Sequence, residues 1–546
     1  MQGLMQDTPL TLQMVLRRAG TLYGDKVIAT KTADGVRRRT FAETVERVHR
    51  LASALRDLGI GPGDRVATFG WNSDHHLEAY LAVPCMGAVL HTLNIRLHPD
   101  QVAWIADHAQ DSVVLVDASL AEAWSQVKDV ESIRHVVVMD DTGQGAGVVP
   151  GALDYEELIA GASPAFDWPE LDELSAAAMC YTSGTTGDPK GVVYSHRSST
   201  LHALASLFAD NLALSERDTV LPIVPQFHVN AWGIPYAALM TGASVAMPSR
   251  FMDPASVAAL VRETGTTISA AVPTVWLGVL QALQGGQVDA ADLATLNRIV
   301  IGGSACPESL MRAYDELGVN VVHAWGMTET SPLGTVARVK TTVPQDQVWS
   351  RRLTQGLPAP TLDVRIVDDA GVPQPWDGES PGELEISGPW IAAAYYDPQA
   401  PDGRGGEDRF ADAEGRRWLR TGDVAVIHPD GYVQLVDRVK DLVKSGGEWI
   451  STVELENLLI AHPKVAEAAV IAVPHPKWDE RPLACVVKAD DSVTGAELLE
   501  YLAGHVAKWQ VPDDVVFIDE VPKTSVGKFD KKVLRSQFGQ YQLPES

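Results

Sequence analysis

Cysteine is scarce in this chain, with four residues among 546, and Cys85, Cys180, Cys306 and Cys485 lie so far apart that no CxxC pair exists. That spacing excludes a zinc ribbon and a thioredoxin-type motif, and it fits reduced thiols in a cytoplasm. Basic residues are the minority, 44 Lys and Arg against 71 Asp and Glu, and the net charge of −27 repels phosphate backbones and anionic lipid. Nucleic acid is therefore not an expected partner, although a nucleotide held by local donors is compatible with such a field. Long hydrophobic runs are also missing. No apolar stretch approaches the roughly 18 residues of a spanning helix, so no integral membrane segment is expected. The first twenty residues lack the basic, apolar, small-residue order of a secretory leader. No internal repeat or low-complexity tract is visible, and the glycine-rich stretches 143–147 and 402–408 read as surface loops.

What is present is an ordinary globular composition, 45% hydrophobic and 21% charged, over a length that suits about three to four units or one large multi-layered domain with an appendage. From residue 40 onward short β-rich runs alternate with helical patterns, which predicts α/β layers with largely parallel strands. Thr40-Phe41-Ala42-Glu43 is a capping box that opens a helix with Val45, Val48, Leu51 and Leu55 on one face and Gly59 at its end. Arg65–Phe69 and Arg298–Ile301 read as strands, and Asp253-Pro254 starts a helix that Gly265 ends. Between about 350 and 437, runs joined by Asp369-Ala370-Gly371 and by Pro429-Asp430-Gly431 predict hairpins and a barrel-like antiparallel segment. Beyond it, helices capped by Ser451 and Thr494 and strands near Val470 and Val515 predict a small α+β domain. The expected division is 1–437 and 438–546. His75 and His76, adjacent at a helix start, point in different directions, so surface or capping roles are expected rather than a metal.

The most informative stretch is 181–191, YTSGTTGDPKG, directly after the apolar run Ala176 to Cys180. A strand end followed by small hydroxyl and glycine residues lets backbone N–H groups and the side chains of Ser183, Thr185 and Thr186 converge on a polyphosphate, with Lys190 as a cation. Thr182, Gly184 and Gly187 belong to the same cradle. A Walker A loop is excluded, because Lys190 stands between Pro189 and Gly191 instead of between a glycine and a hydroxyl.

This run resembles the phosphate-loop signature of the ANL adenylating superfamily, which comprises acyl-CoA synthetases, standalone adenylation domains and luciferases. Four further segments are similar to family motifs, in the family's order: Trp325-Gly-Met-Thr-Glu-Thr330, Leu419-Arg-Thr-Gly-Asp423, Asp437 to Gly447, and Pro522 to Lys528. The resemblance implies a large N-terminal adenylation domain, with two α/β layers and a barrel-like β segment, and a small mobile C-terminal lid turning about a hinge at Lys440. It implies ATP and coenzyme A as co-substrates, Mg²⁺ as cofactor, small-molecule partners only, and it leaves room for a homodimer.

Each motif position has a physical task. Adenylation brings a carboxylate onto a negative α-phosphate, so a cation must offset the repulsion, and Lys528 is the candidate. Glu329 offers a hard carboxylate for Mg²⁺, with Thr185 as a second ligand, and Thr328 a hydroxyl for the α-phosphate. Asp423 can accept hydrogen bonds from both ribose hydroxyls, and Arg438 adds a donor there. Gly303, Ser304, Trp325, Gly326 and Met327 complete the nucleotide side, with Trp449 expected to pack near adenine or phosphate. Lys444, Ser445, Gly446 and Gly447 are expected to approach the pantetheine of coenzyme A in a second orientation of the lid. Retention of Lys190, Glu329, Asp423 and Lys528 argues against a binding protein without turnover.

Pro225 to Gly233, PQFHVNAWG, resembles a segment of medium- and long-chain fatty-acyl-CoA synthetases in which the histidine, here His228, borders the acyl carbonyl and the tryptophan, here Trp232, stands at the mouth of an acyl tunnel. Val272, Thr274 and Gly302 are the companion lining candidates. No lysine, arginine or aspartate stands in these segments to pair with an amino-acid ammonium. The expected activity is an ATP-dependent fatty-acid–CoA ligase. The alternatives are a ligase for a short sulfur-containing acid such as methylthiopropionate and an acyl-AMP ligase that loads a carrier protein.

Overall fold

The structure, a computed structural model, describes residues 1, 3–182, 188–445, 448–524, 529–539 and 541–544. Two nine-stranded sheets dominate it. In the first, the strands Asn320–Gly326, Arg298–Ile301, Ile268–Ala271, Thr219–Pro222, Ser244–Met247 and Val27–Thr32 run parallel in that order, with antiparallel strands added at both edges. In the second, Ala176–Tyr181, Val89–Thr92, Arg65–Phe69, Asp111–Asp117, His135–Met139 and Leu153–Asp154 are the parallel set. The central strands bury both faces, as parallel strands flanked by helices must. Val220, Val245, Val300 and Val322 of the first sheet and Val66, Leu90, Val113 and Val137 of the second share one apolar core with the helices Leu12–Leu22, Phe41–Asp57 and Asp74–Cys85. The alternate residues Leu221, Ala246, Ile299 and Val321 pack on an opposite layer that holds the helices Pro254–Thr264, Pro273–Gln284 and Glu308–Glu316.

Several local signals act as the sequence predicts. The helix Phe41–Asp57 carries its full capping box, and Pro254–Thr264 ends on Gly265 with φ of +64°. Antiparallel pairing follows in a third sheet, where Arg416–Ile427 and Val433–Arg438 form the hairpin expected across Pro429-Asp430-Gly431. The expectation at 369–371 is corrected. Asp363–Val367 takes Gly382–Ser387 as its partner, and the Asp-Ala-Gly turn yields a single bridge, Val367 to Pro373. Among the described residues the third sheet stays open, with no pairing between Asp363–Val367 and Val433–Arg438. A fourth sheet, built from Val443–Ser445, Glu448–Ile450, Val465–His475, Asp479–Lys488 and Asp514–Phe517, has its own two apolar cores, flanked by Thr452–Ala461, Gly495–Ala503 and Lys531–Phe538.

His75 and His76 are buried rather than on the surface. His76 bonds the Thr68 hydroxyl and the Trp71 carbonyl, while His75 meets Glu156. They lie beside a charge network that ties the first hairpin to the interior: Glu78, fully buried, meets Arg47 at 2.6 Å, Arg39 at 3.2 Å and the Tyr155 hydroxyl at 2.6 Å. Replacing Glu78 with alanine strands these donors and should lower stability by about 3–5 kcal/mol. Glu156, at 46% side-chain exposure in the same network, should cost about 1 kcal/mol or less. Urea unfolding of both variants checks the contrast, and equal losses would refute this account of the network.

Candidate active site

The parallel strands end together, and their carboxyl ends feed one cleft, the expected position for a ligand in α/β sheets. Ala176–Tyr181 leads to Thr182, Thr219–Pro222 to His228 and Trp232, Ile268–Ala271 to Val272 and Thr274, Arg298–Ile301 to Gly302 and Gly303, and Asn320–Gly326 to Thr328 and Glu329. All of these side chains or backbones line a cavity of about 530 Å³, together with Asp423, Arg438 and Lys440. Chain segments separated by up to about half the sequence are thereby brought to one place.

At the charged end of the cleft, Asp423 is buried and holds two partners. Its Oδ2 accepts the Trp325 indole N–H at 2.9 Å, and Oδ1 faces Arg438 Nε at 3.2 Å. That carboxylate raises the pKa of the Arg438 guanidinium, which stays charged. Glu329 is buried on the turn Thr328–Thr330 and accepts a hydrogen bond from the Tyr395 hydroxyl. Lys190 Nζ sits 4.9 Å over the centre of the same Tyr395 ring. Thr182 and Lys190 close the neck of the phosphate segment by two hydrogen bonds, Thr182 N–H to the Lys190 carbonyl at 3.0 Å and Lys190 N–H to Thr182 Oγ1 at 3.1 Å. Ser183, Gly184, Thr185, Thr186 and Gly187 lie outside the described residues, as do Gly446, Gly447 and Lys528. Gly326 is required sterically: a Cβ there would stand 1.6 Å from the Pro332 carbonyl oxygen.

The other end carries no charge. Lining residues contributed by segments 202–232 and 272–310 include Leu212, Trp232, Val272, Leu277, Val300 and Leu310, with no Asp, Glu, Lys or Arg among them. Burial holds His202 down at about 3 and His323 at about 4, so both imidazoles are neutral. The Trp232 indole lies over Gly302, where a Cβ would come within 3.1 Å of the ring.

The small domain approaches the same cleft through Thr524, Phe529, Asp530 and Lys531, the two ends of the segment that contains Lys528. Burial lowers the pKa of Lys440, which lines the cleft between the two parts. Asp437 Oδ2 accepts from the N–H and the hydroxyl of Thr452, and Lys531 bridges Thr452 to Glu456 at 2.7 Å. Lys444, Ser445 and Trp449 are not brought to the cleft in this orientation. Trp449 is exposed with Lys444 Nζ 4.4 Å over its ring, and the Ser445 hydroxyl accepts from Arg481.

Residues 16–396 match the family model of AMP-binding enzymes, and residues 454–528 match the C-terminal domain of AMP-binding enzymes. The chain belongs to the AMP-binding enzymes. Curated relatives include a long-chain-fatty-acid–CoA ligase of Thermus thermophilus, 46% identical over 98% of this chain and 97% of the relative. A medium-chain-fatty-acid–CoA ligase of Ectopseudomonas oleovorans is 42% identical over 100% and 99%. A 3-methylmercaptopropionyl-CoA ligase of Ruegeria lacuscaerulensis is 43% identical over 98% and 99%. Among solved structures, an anthranilate CoA ligase in complex with anthranoyl-AMP superposes with a TM-score of 0.85 at 25% identity, covering 98% of this chain and 99% of that one.

Two cleft residues of this AMP-binding enzyme escaped the sequence reading. Tyr395 lies 66 residues from its partner Glu329, and nothing local marks it. Arg409 lines the charged end and donates to the carbonyls of Arg420 and Thr421, supporting the backbone just ahead of Asp423. Replacing Asp423 with asparagine keeps its shape but removes a charged acceptor, so KM for ATP should rise about 10- to 100-fold. An unchanged KM in steady-state assays would place the nucleotide elsewhere.

Proposed function

We propose that this enzyme activates a medium- or long-chain fatty acid. It is an adenylate-forming acyl-CoA ligase: the carboxylate attacks the α-phosphate of ATP and releases pyrophosphate. The coenzyme A thiol then attacks the acyl carbonyl and releases AMP, with loss of the thiol proton. The observation that carries the substrate reading is the uncharged end of the cleft, where among the described residues apolar side chains predominate and segments 202–232 and 272–310 offer no Asp, Glu, Lys or Arg to pair with an ammonium or a second carboxylate. The long- and medium-chain activities printed for two relatives support it. A second reading, a short sulfur-containing acid, draws on the 3-methylmercaptopropionyl relative at nearly the same identity.

In this reading Asp423 and Arg438 hold the ribose, Thr328 donates to the α-phosphate, and His228 borders the acyl carbonyl. Lys528 offsets the charge of carboxylate and α-phosphate together. Among the described residues no group of three His, Cys, Asp or Glu side chains could hold a metal ion by itself. One buried carboxylate suits an ion bound mainly through nucleotide phosphates, so Mg²⁺ fits Glu329 with the Thr185 hydroxyl. When bound, it neutralises phosphate charge. The division at 437/438, with Lys440 as the pivot of the small domain, belongs to the same proposal, and so does a cytoplasmic location. No helix among the described residues is long and apolar enough to cross a membrane. A homodimer is the assembly to test first by light scattering.

Replacing Lys528 with alanine should nearly abolish acyl-dependent pyrophosphate release and spare thioester formation from supplied acyl-adenylate. Equal loss in both half-reactions would remove that role. Replacing Trp232 with alanine should change kcat/KM in a chain-length-dependent way across acids from propionate to palmitate, because each buried methylene is worth about 0.8 kcal/mol. A tryptophan that serves only the core would instead cost about 3–5 kcal/mol of stability and depress every acid alike. A flat response with a lowered melt would therefore overturn the substrate reading.

A further inference from the structure

Val229, Asn230, Ala231 and Trp232 have φ of +46°, +48°, +48° and +58°, and Gly233 follows at +67°. Four consecutive non-glycine residues in the left-handed region form a strained turn. L-residues enter that region singly and at a cost, and a β-branched valine is the least suited of all. Such a turn persists only where its surroundings over-determine it, and strain of this kind gathers at functional sites. Here the turn carries Trp232 into the cleft directly after His228.

Backbone bonds from Ala231 to the Pro225 and His228 carbonyls hold the turn locally, and the side chain of Asn230 ties it to the sheet. This side chain is buried, and its Oδ1 accepts from Cys180 Sγ at 2.9 Å and from Thr92 Oγ1 at 3.4 Å. Burial pushes the Cys180 thiol up to about 11, so the sulfur keeps the proton it donates. Thr92 and Cys180 are paired neighbours at the ends of adjacent parallel strands, and the strand of Cys180 runs on into the phosphate segment through Thr182. Asparagine is also the non-glycine residue that best tolerates a left-handed backbone.

We propose that Asn230 is a positioning residue for the acyl site: its amide oxygen anchors the left-handed turn to the ends of the strands at Thr92 and Cys180, and so sets where Trp232 stands over Gly302. The inference rests on the reading that Trp232 meets the acyl chain. Acid-length discrimination then depends on a residue that does not itself line the cleft.

The test separates anchoring from folding. Asn230→Gly leaves the left-handed backbone easier to adopt while removing the anchor. The melt should hold, and the preference between the best and the poorest straight-chain acid, measured as kcat/KM from butyrate to palmitate, should shrink about tenfold. Cys180→Ala should shift the profile in the same direction, and Cys180→Ser, which restores a donor, should return it toward the parent. A profile that keeps its shape in Asn230→Gly, with or without a lower melt, overturns the anchor. Trp232→Ala run in parallel distinguishes the two failures. If it reshapes the profile and Asn230→Gly does not, only the anchor falls. If neither does, the substrate reading falls with it.

Discussion

Two sheets of the molecule meet at the carboxylate of Asp423. One oxygen takes the indole N–H of Trp325, from the last parallel strand of the first sheet, and the other faces Arg438, at the end of the strand just ahead of Lys440. A buried carboxylate without partners costs several kcal/mol, so the antiparallel sheet that carries both Asp423 and Arg438 cannot shift against the parallel sheet without breaking the bond to Trp325. Docking of the third sheet on the first thus rests on charge compensation at Asp423.

The same requirement divides the cleft. Charged groups gather at one end, each with a partner: Glu329 with the Tyr395 hydroxyl, Lys190 over the Tyr395 ring, Arg438 with Asp423. The opposite end is lined, among the described residues of segments 202–232 and 272–310, by uncharged side chains, as the cost of burying an unpaired charge favours. His202 and His323 obey this rule by remaining neutral. In the proposed reading, a carboxylic acid with an apolar chain satisfies both halves at once, its head among the cations and its tail in the uncharged end.

Between the large and the small part the contacts are of another kind. The apolar clusters centred on Val470 and Ile471 draw only on residues beyond 442, and side-chain bonds that cross Lys440 include Asp437 to Thr452 and Ser451 to the Val436 carbonyl. Water can replace such polar contacts at small net cost, whereas a shared apolar core would have to be exposed. A rotation of the small part is thus supported by how the chain distributes its apolar residues.

Features that close within a few residues were legible in the sequence. The capping box at Thr40 and Glu43, the stop at Gly265 and the Pro-Asp-Gly hairpin each depend on hydrogen bonds between near neighbours, which residue type and spacing determine directly. The motif segments could be named because they resemble family motifs residue by residue. Tertiary structure alone decided the rest. The partner of Asp363–Val367, the burial of His75 and His76, the Tyr395 bond to Glu329 and the left-handed turn at Asn230 all rest on groups from distant segments. No local pattern encodes them, because the energy that selects each one comes from burying a polar group against a partner that only the completed fold supplies.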